Sequence, residues 1–143
     1  MTSVAEAVGI VQAARAAGLP VVVSFSVNAH GAVNEETTLA AAITAVDTAT
    51  DAYPVGYFVN CAHPAEAAMA LPPTMPDRAR RRVTGFRLNA ATSEHHDTQA
   101  GDGPEEFASK LAALHTLAPH AHTFGGCCGT DVAHIEALTG LLE

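Results

Sequence analysis

Three cysteines are the residues of this chain best suited to chemistry. Cys127 and Cys128 are adjacent within a glycine-rich segment, residues 125–130, and Cys61 lies far upstream. An adjacent pair with one distant partner does not make an even disulfide framework. Three cysteine ligands would instead leave one position of a tetrahedral zinc ion open, as in catalytic zinc sites. The spacing therefore predicts a zinc site that is open to an incoming ligand.

Other interpretations of the same residues remain open. A thiol-redox role for the adjacent pair predicts a reducible disulfide between Cys127 and Cys128 and no metal. A purely structural zinc site would need a fourth ligand, for which His63 is a candidate. A second group of possible ligands, the His95, His96 and Asp97 segment, lies among polar residues and is interpreted as a solvated loop.

Hydrophobic patterns predict which elements position the cysteines. Helices are predicted over residues 3–17, 37–48, 62–71 and 105–117 and from about residue 132, and strands over 19–27, 55–60, 82–88 and 121–124. A helix followed by four strand–helix units predicts a parallel sheet with helices on its faces. All three cysteines then follow strands, at the sheet edge where parallel α/β folds form their active sites. The glycines at 125, 126 and 129 would allow the local bend that two adjacent ligands require.

Finer expectations follow from the same patterns. The first strand is predicted to be buried on both faces, and residues 28–36 are predicted to form a polar loop. The arginines of residues 78–82 are interpreted as solvated. Thr130-Asp131 offers an N-cap for the last helix. That helix is predicted to turn four side chains inward: Val132, Ile135, Leu138 and Leu142.

Composition narrows the class of protein. The 143 residues are 48% hydrophobic and 15% charged, which suits one globular domain. The net charge of −8 argues against nucleic acid or an anionic membrane as a partner, because both need clustered Lys and Arg. The sequence has no apolar run of about 18 residues, no export signal and no glycine-rich phosphate loop. Three cysteines in this context predict a reducing compartment, and the cytoplasm is the expected location.

Two motifs of this chain resemble the zinc-binding signatures of the homocysteine S-methyltransferase family. Val59-Asn60-Cys61 resembles the first, and residues 125–130 with the following His134 and Ile135 resemble the second. Further positions resemble the family's fifth-strand region and its asparagine after the seventh strand: Phe25, Asn28, Gly31 and Asn89. The resemblance covers essentially the whole chain.

The resemblance implies a fold and a site. The fold would be α/β, made of parallel (β/α) units and equal to half of a (β/α)8 TIM barrel, strands five to eight. Residues 1–143 would form a single partial homocysteine-binding domain. The resemblance implies Zn²⁺ as the cofactor, with Cys61, Cys127 and Cys128 as its ligands. Residues implied to contact substrate are Asn60, Gly125 and Gly126.

The resemblance also implies an activity and partners. Zinc-dependent methyl transfer would carry a methyl group from a sulfonium or quaternary ammonium donor, such as S-methylmethionine or betaine, to the thiol of homocysteine, giving methionine. Family members have about twice this length, so the chain is expected to self-associate or to need a complementing N-terminal half. The alternative is a non-catalytic zinc-binding remnant or a subunit of a split methyltransferase.

Overall fold

The computed structural model describes residues 1–92 and 101–142, without the side chain at position 142. Its helices are α1 Val4–Ala16, α2 Leu39–Thr50, α3 Pro64–Met69, α4 Asp77–Arg80, α5 Pro104–Leu117 and α6 Val132–Leu142. Its strands are β1 Val22–Ser26, β2 Ala32–Asn34, β3 Thr37–Thr38, β4 Gly56–Asn60, β5 Val83–Leu88 and β6 Thr123–Gly126. No helix in these ranges is long and apolar enough to cross a membrane.

Four of the strands form one parallel sheet in the order β1-β4-β5-β6. Each strand lies beside the one that precedes it in the main sheet, so the chain winds in a single direction. This confirms the predicted α/β fold of successive (β/α) units. Because all strands run the same way, the segments that follow β4, β5 and β6 emerge together at one edge, here called the carboxyl edge.

One face of the sheet carries the core and the other is open. Phe25, Tyr57, Val59 and Phe86 are fully buried under the helices. The register brings Ser26, Asn60, Arg87 and Gly125 into one row on the opposite face, here called the open face. The prediction that β1 is buried on both faces was therefore wrong. Val22 is 43% exposed, because the described helices pack on one side of the sheet.

Local side-chain bonds explain where the helices begin. The Ser3 hydroxyl accepts a hydrogen bond from the Glu6 amide at 3.3 Å, and the Thr38 hydroxyl accepts one from the Ala41 amide at 3.2 Å. Each bond satisfies a backbone donor that the first turn leaves unpaired. Both helices accordingly begin within two residues of the predicted start, at Val4 and Leu39.

The segment predicted as a polar loop, residues 28–36, contains β2, which pairs antiparallel with β3 just beyond it, at the first two residues of the predicted helix. The Asn28 side chain accepts hydrogen bonds from the amides of His30 and Ala32, both at 3.0 Å. Gly31 supplies the positive φ of 74° that this tight turn needs. Val33 is 3% exposed, so one apolar side chain anchors an otherwise polar segment.

The last helix presents a different face from the predicted one. Val132 is 72% and Ile135 38% exposed, whereas Leu138 and His134 are buried. Two contacts of His134 determine which face of α6 is buried. His134 Nε2 donates to the Asp102 carbonyl at 3.1 Å, and the imidazole ring packs edge-on against Phe107. These contacts rotate His134 inward and turn the two aliphatic side chains out. Position 142 lies outside the described side chains.

Two of the arginines predicted to be solvated, Arg78 and Arg81, are exposed, whereas Arg80 and Arg82 are partly buried and bonded to other elements. Arg80 donates to the carbonyls of Leu117 at 2.7 Å and Pro72 at 2.6 Å. Arg82 makes a two-pronged contact with the Asp47 carboxylate at 2.9 and 3.0 Å. These guanidinium groups satisfy backbone carbonyls and a carboxylate, so they join separate elements of the fold.

Candidate functional site

The structure brings two of the three cysteine thiols together at the carboxyl edge. Cys61 follows β4 and Cys127 follows β6, and their Sγ atoms lie 3.4 Å apart. The Cys61 amide donates to the Arg87 carbonyl at 3.1 Å, and the Cys127 amide donates to the Leu88 carbonyl at 2.7 Å. Both cysteines thus continue the hydrogen bonds of the sheet against β5, the strand between them. Cys61 has a φ of 52°, which is uncommon outside glycine and turns the chain sharply.

Hydrogen bonds to its backbone fix the position of Cys128. Its amide donates to the Asn89 side-chain oxygen at 3.1 Å, and its carbonyl accepts from the Ala90 amide at 3.0 Å. Its side chain is exposed. Within residues 1–92 and 101–142, no three or more His, Cys, Asp or Glu side chains are arranged to hold a metal ion. The described arrangement is therefore a close pair of thiols with a third on the adjacent residue.

Of the three glycines predicted to allow a bend at the cysteines, only Gly129 has the positive φ of such a bend. Gly125 and Gly126 lie within β6, and the bend after the cysteines occurs at Gly129, with a φ of 76°. A Cβ at Gly125 would meet nothing within 4 Å, whereas one at Gly126 would collide with the Thr130 side chain. Thr130 in turn donates its hydroxyl to the Cys127 carbonyl at 2.7 Å. Gly126 is thus required for the packing of the cysteine turn, and Gly125 leaves space on the open face.

Asn60 links the open face to the thiols. Its side-chain oxygen accepts a hydrogen bond from the Ser24 hydroxyl at 2.6 Å. Its amide nitrogen lies 3.4 Å from the Ser26 hydroxyl and 3.1 Å from Cys61 Sγ, and it donates to both. In this orientation of the amide, the oxygen faces Ser24 and the nitrogen faces Ser26 and Cys61. An N–H group therefore points at the sulfur from a nearly buried side chain.

A concavity of about 360 Å³ lies on the open face beside Asn60. Its lining includes Ser24, Phe58 and Arg87 together with Asn60. Of the three residues predicted to contact substrate, Asn60 and Gly125 belong to the open face, and Gly126 faces the helices. The His95, His96 and Asp97 segment lies outside the described residues.

Residues 1–142 match the family model described as homocysteine S-methyltransferase. The chain belongs to the homocysteine S-methyltransferase family. The match covers the whole of the described sheet, and the resemblance drawn from the sequence motifs is confirmed. A search of curated proteins finds no match. Membership of this family suggests methyl transfer of the homocysteine S-methyltransferase kind, with homocysteine and a methyl donor as substrates.

In this homocysteine S-methyltransferase family member, His63 does not reach toward the sulfurs. Its Nδ1 accepts a hydrogen bond from the Ala65 amide at 3.2 Å, capping α3, and its Nε2 lies 2.8 Å from Asp102 Oδ2. Because Nδ1 is an acceptor, the ring proton is on Nε2 and is donated to the carboxylate. Both ring nitrogens are occupied, so His63 supports the loop after Cys61 instead of offering a fourth ligand.

Asp102 and Lys110 were missed by the sequence analysis. Lys110 Nζ donates to Asp102 Oδ2 at 2.8 Å, the same oxygen that accepts from His63. Burial opposes ionisation of Asp102, but the hydrogen bonds from Lys110 and His63 outweigh it and lower the pKa of this carboxyl. The hydrogen bond to Asp102 also raises the pKa of Lys110. No motif marks these residues in the sequence, because their partners come from different segments.

Proposed function

We propose that this chain holds a zinc ion on Cys61, Cys127 and Cys128 and takes part in methyl transfer to the homocysteine thiol, giving methionine. The donor would be a sulfonium or quaternary ammonium compound such as S-methylmethionine or betaine. The observation that carries the proposal is the 3.4 Å separation of Cys61 Sγ and Cys127 Sγ at the carboxyl edge, in a chain matched to this family over residues 1–142.

The donor set fits zinc. Two thiolates on a tetrahedral zinc ion, each with a Zn–S bond of about 2.3 Å, lie about 3.8 Å apart. The observed Cys61–Cys127 separation of 3.4 Å is within about 0.4 Å of that value. Cys128 would be the third ligand. Its amide and carbonyl are both hydrogen-bonded, so rotation of its side chain is the movement that would bring its thiol to the other two.

The chain's own residues would prepare the site for this chemistry. When bound, zinc would supply the positive charge that keeps a homocysteine thiol deprotonated at neutral pH. Asn60 donates its N–H to Cys61 Sγ and would stabilise negative charge on that sulfur. Asn89 and Ala90 fix the backbone of Cys128. The concavity beside Asn60 offers space for the substrate, and Asn60 is also the residue that contacts Cys61 Sγ.

The proposed reaction needs no side-chain base. The homocysteine sulfur attacks the donor methyl group, a new sulfur–carbon bond forms, and the bond from that carbon to the positive sulfur or nitrogen breaks. Its electron pair leaves with the donor, which becomes neutral. The remaining requirement is alignment of the methyl group with the sulfur. We propose that substrate binds against the open face at Asn60 and Gly125. Asn60 would form a hydrogen bond to it, and Gly125, which has no side chain, would leave space for it.

A second candidate, a zinc-binding remnant or a subunit of a split methyltransferase, is favoured by one observation. The open face has no covering layer among the described elements, and β1 and β6 have no further strand beside them there. A substrate bound beside Asn60 would stay in contact with water. Catalysis would then require a second copy or another chain over this face. The free thiols of the site suit the reducing cytoplasm, where we expect the protein to act.

The test is zinc content and activity of reduced protein. We expect about one zinc per chain, lost in Cys61→Ser, Cys127→Ser and Cys128→Ser, and kept in His122→Gln, a control with an exposed side chain before β6. Methionine formation is then assayed with S-methylmethionine and with betaine. Full zinc occupancy in Cys127→Ser would overturn the ligand assignment. Zinc binding without methyl transfer would favour the second candidate.

A further inference from the structure

Asp102 is bonded to residues of four segments near the carboxyl edge. Its amide donates to the Ala90 carbonyl at 2.7 Å, after β5. Its carboxylate accepts from His63 and Lys110, both at 2.8 Å, after β4 and within α5. Its carbonyl accepts from His134 Nε2 at 3.1 Å, in the first turn of α6. These five residues are called the Asp102 cluster.

The Asp102 cluster reaches both segments that carry cysteines. His63 is two residues beyond Cys61, on the loop that leads from β4 into α3. On the other side, the Ala90 amide donates to the Cys128 carbonyl at 3.0 Å, and Ala90 is itself bonded to Asp102. One residue thus stands between the Cys61 loop and the Cys127–Cys128 turn.

The contact between Asp102 and His63 is well shielded from water. The His63 side chain is 6% exposed and that of Asp102 15% exposed. Hydrogen bonds to an ionised carboxylate are stronger than neutral ones, and limited contact with water strengthens them further. The His63 ring is held in place on its other side as well, because its Nδ1 accepts the hydrogen bond from the Ala65 amide that caps α3. A shift of Asp102 would therefore move the Cys61 loop relative to β5 and β6.

We propose that Asp102 is a positioning residue that sets the distance between the Cys61 loop and the Cys127–Cys128 turn. As a statement about metal binding, this rests on the proposed zinc site. As a statement about the spacing of the thiols, it stands without any metal. The two parts are tested by separate measurements.

The main variant is Asp102→Asn, which removes the negative charge that His63 and Lys110 share. Asp47→Asn is its matched control. Asp47 is also a partly buried carboxylate, 20% exposed, and it is bonded to Arg82 and Tyr57 at the opposite end of the sheet. A general loss of stability should appear in both variants. A loss of site geometry should appear in Asp102→Asn alone.

The first readout is zinc affinity, measured by competition with a chelator, with the cobalt(II)–thiolate absorption spectrum recorded beside it. We expect Asp102→Asn to weaken zinc binding by about 10- to 100-fold, as loss of a supporting hydrogen bond does at other metal sites. We also expect the cobalt bands to shift. Asp47→Asn should leave both unchanged. Zinc affinity in Asp102→Asn equal to that of the unmodified protein would overturn the metal part.

The second readout needs no metal. Metal-free protein carrying Cys128→Ser is treated with a diazene oxidant, which joins the Cys61 and Cys127 thiols as a disulfide and is itself reduced to the hydrazine. We expect Asp102→Asn to slow this reaction by about tenfold or more, because small displacements of reacting groups have large effects on rate. An unchanged rate would overturn the proposal. If the unmodified protein bound no zinc, the proposed function would fail while this measurement still decided the role of Asp102.

His63→Asn is the second variant, used if Asp102→Asn does not fold. Asparagine is a good N-cap, so it can keep the hydrogen bond from the Ala65 amide while being too short to reach Asp102. It removes the hydrogen bond that joins Asp102 to the Cys61 loop and leaves the other bonds of the Asp102 cluster in place. We expect it to reproduce the slower disulfide formation. A rate equal to that of the unmodified protein would count against Asp102 as well.

Discussion

Replacement of Asn60 by Asp tests whether its N–H group supports the Cys61 sulfur. The new side chain keeps an oxygen for the Ser24 hydroxyl, which donates to Asn60 at 2.6 Å. It replaces the donor 3.1 Å from Cys61 Sγ by a carboxylate oxygen. The shape of the site is preserved, so the change isolates the electrostatic effect on the sulfur.

The expected magnitude follows from that distance. Two negative charges 3.1 Å apart repel by about 1.3 kcal/mol in the dielectric of bulk water and by about 5 kcal/mol at an effective dielectric of 20. Cys61 is exposed, so the lower value sets the minimum effect. Since about 1.4 kcal/mol corresponds to a factor of ten, Asn60→Asp should disfavour the thiolate form of Cys61 in the metal-free protein at least about tenfold relative to the thiol. Asn60→Ala, which adds no charge, should disfavour it less.

Alkylation of the metal-free protein by iodoacetamide at neutral pH measures the same effect independently. The reagent consumes the thiolate, so Cys61 should react more slowly in Asn60→Asp than in Asn60→Ala. Cys128, which is not bonded to Asn60, is the internal reference, and labelled peptides report each cysteine separately. Equal alkylation rates of Cys61 in Asn60→Ala and in the unmodified protein would refute the assignment of the Asn60 N–H to the sulfur.

Three further predictions concern the fold around the site. Gly126→Ala should destabilise the cysteine turn and reduce bound zinc, because the new methyl group would collide with the following threonine, whereas Gly125→Ala should fold normally; thermal melting and zinc content distinguish them. Leu138→Ala should cost about 2–5 kcal/mol of unfolding free energy and Val132→Ala less than about 0.5, and equal losses would contradict the orientation of α6. Because the pKa of Asp102 is lowered from 3.8, its carboxylate should stabilise the fold above that pH and cease to do so as the pH falls through the lower folded value. The unfolding free energy, measured by denaturant titration at several pH values between 3 and about 6, should therefore rise less steeply with pH in Asp102→Asn than in the unmodified protein. An identical dependence on pH in the two proteins would argue against the shift.

Much of the site could be predicted from sequence because it depends on local patterns. Short apolar runs located the strands, and the cysteines directly follow two of them, Cys61 after β4 and Cys127 after β6. Phe107, Leu111 and Leu114 recur at helical spacing on α5, and all three are buried. Such features need only the period of one helix or strand, which a sequence displays directly.

The remaining features depend on contacts between distant segments. The inward face of α6 is decided by the bond of His134 to the Asp102 carbonyl, and no periodicity of apolar residues reports that bond. Asp102 itself precedes a helix between two glycines and resembles an ordinary loop residue. Its role emerges only when the segments after β4, β5 and β6 meet at one edge. The same limit applies to Cys128, whose backbone partners lie after β5.

The left-handed backbone at Cys61 bears on why a cysteine stands there at all. A residue with a Cβ in this conformation costs roughly 1–2 kcal/mol relative to the right-handed form, a cost that glycine avoids. Folding alone would therefore favour glycine at this position. Cys61→Gly should give a chain that melts at a higher temperature and has lost a thiol, so a screen for stability alone would discard the site. At this residue, the substitution that raises the stability of the fold removes a group that the proposed chemistry needs.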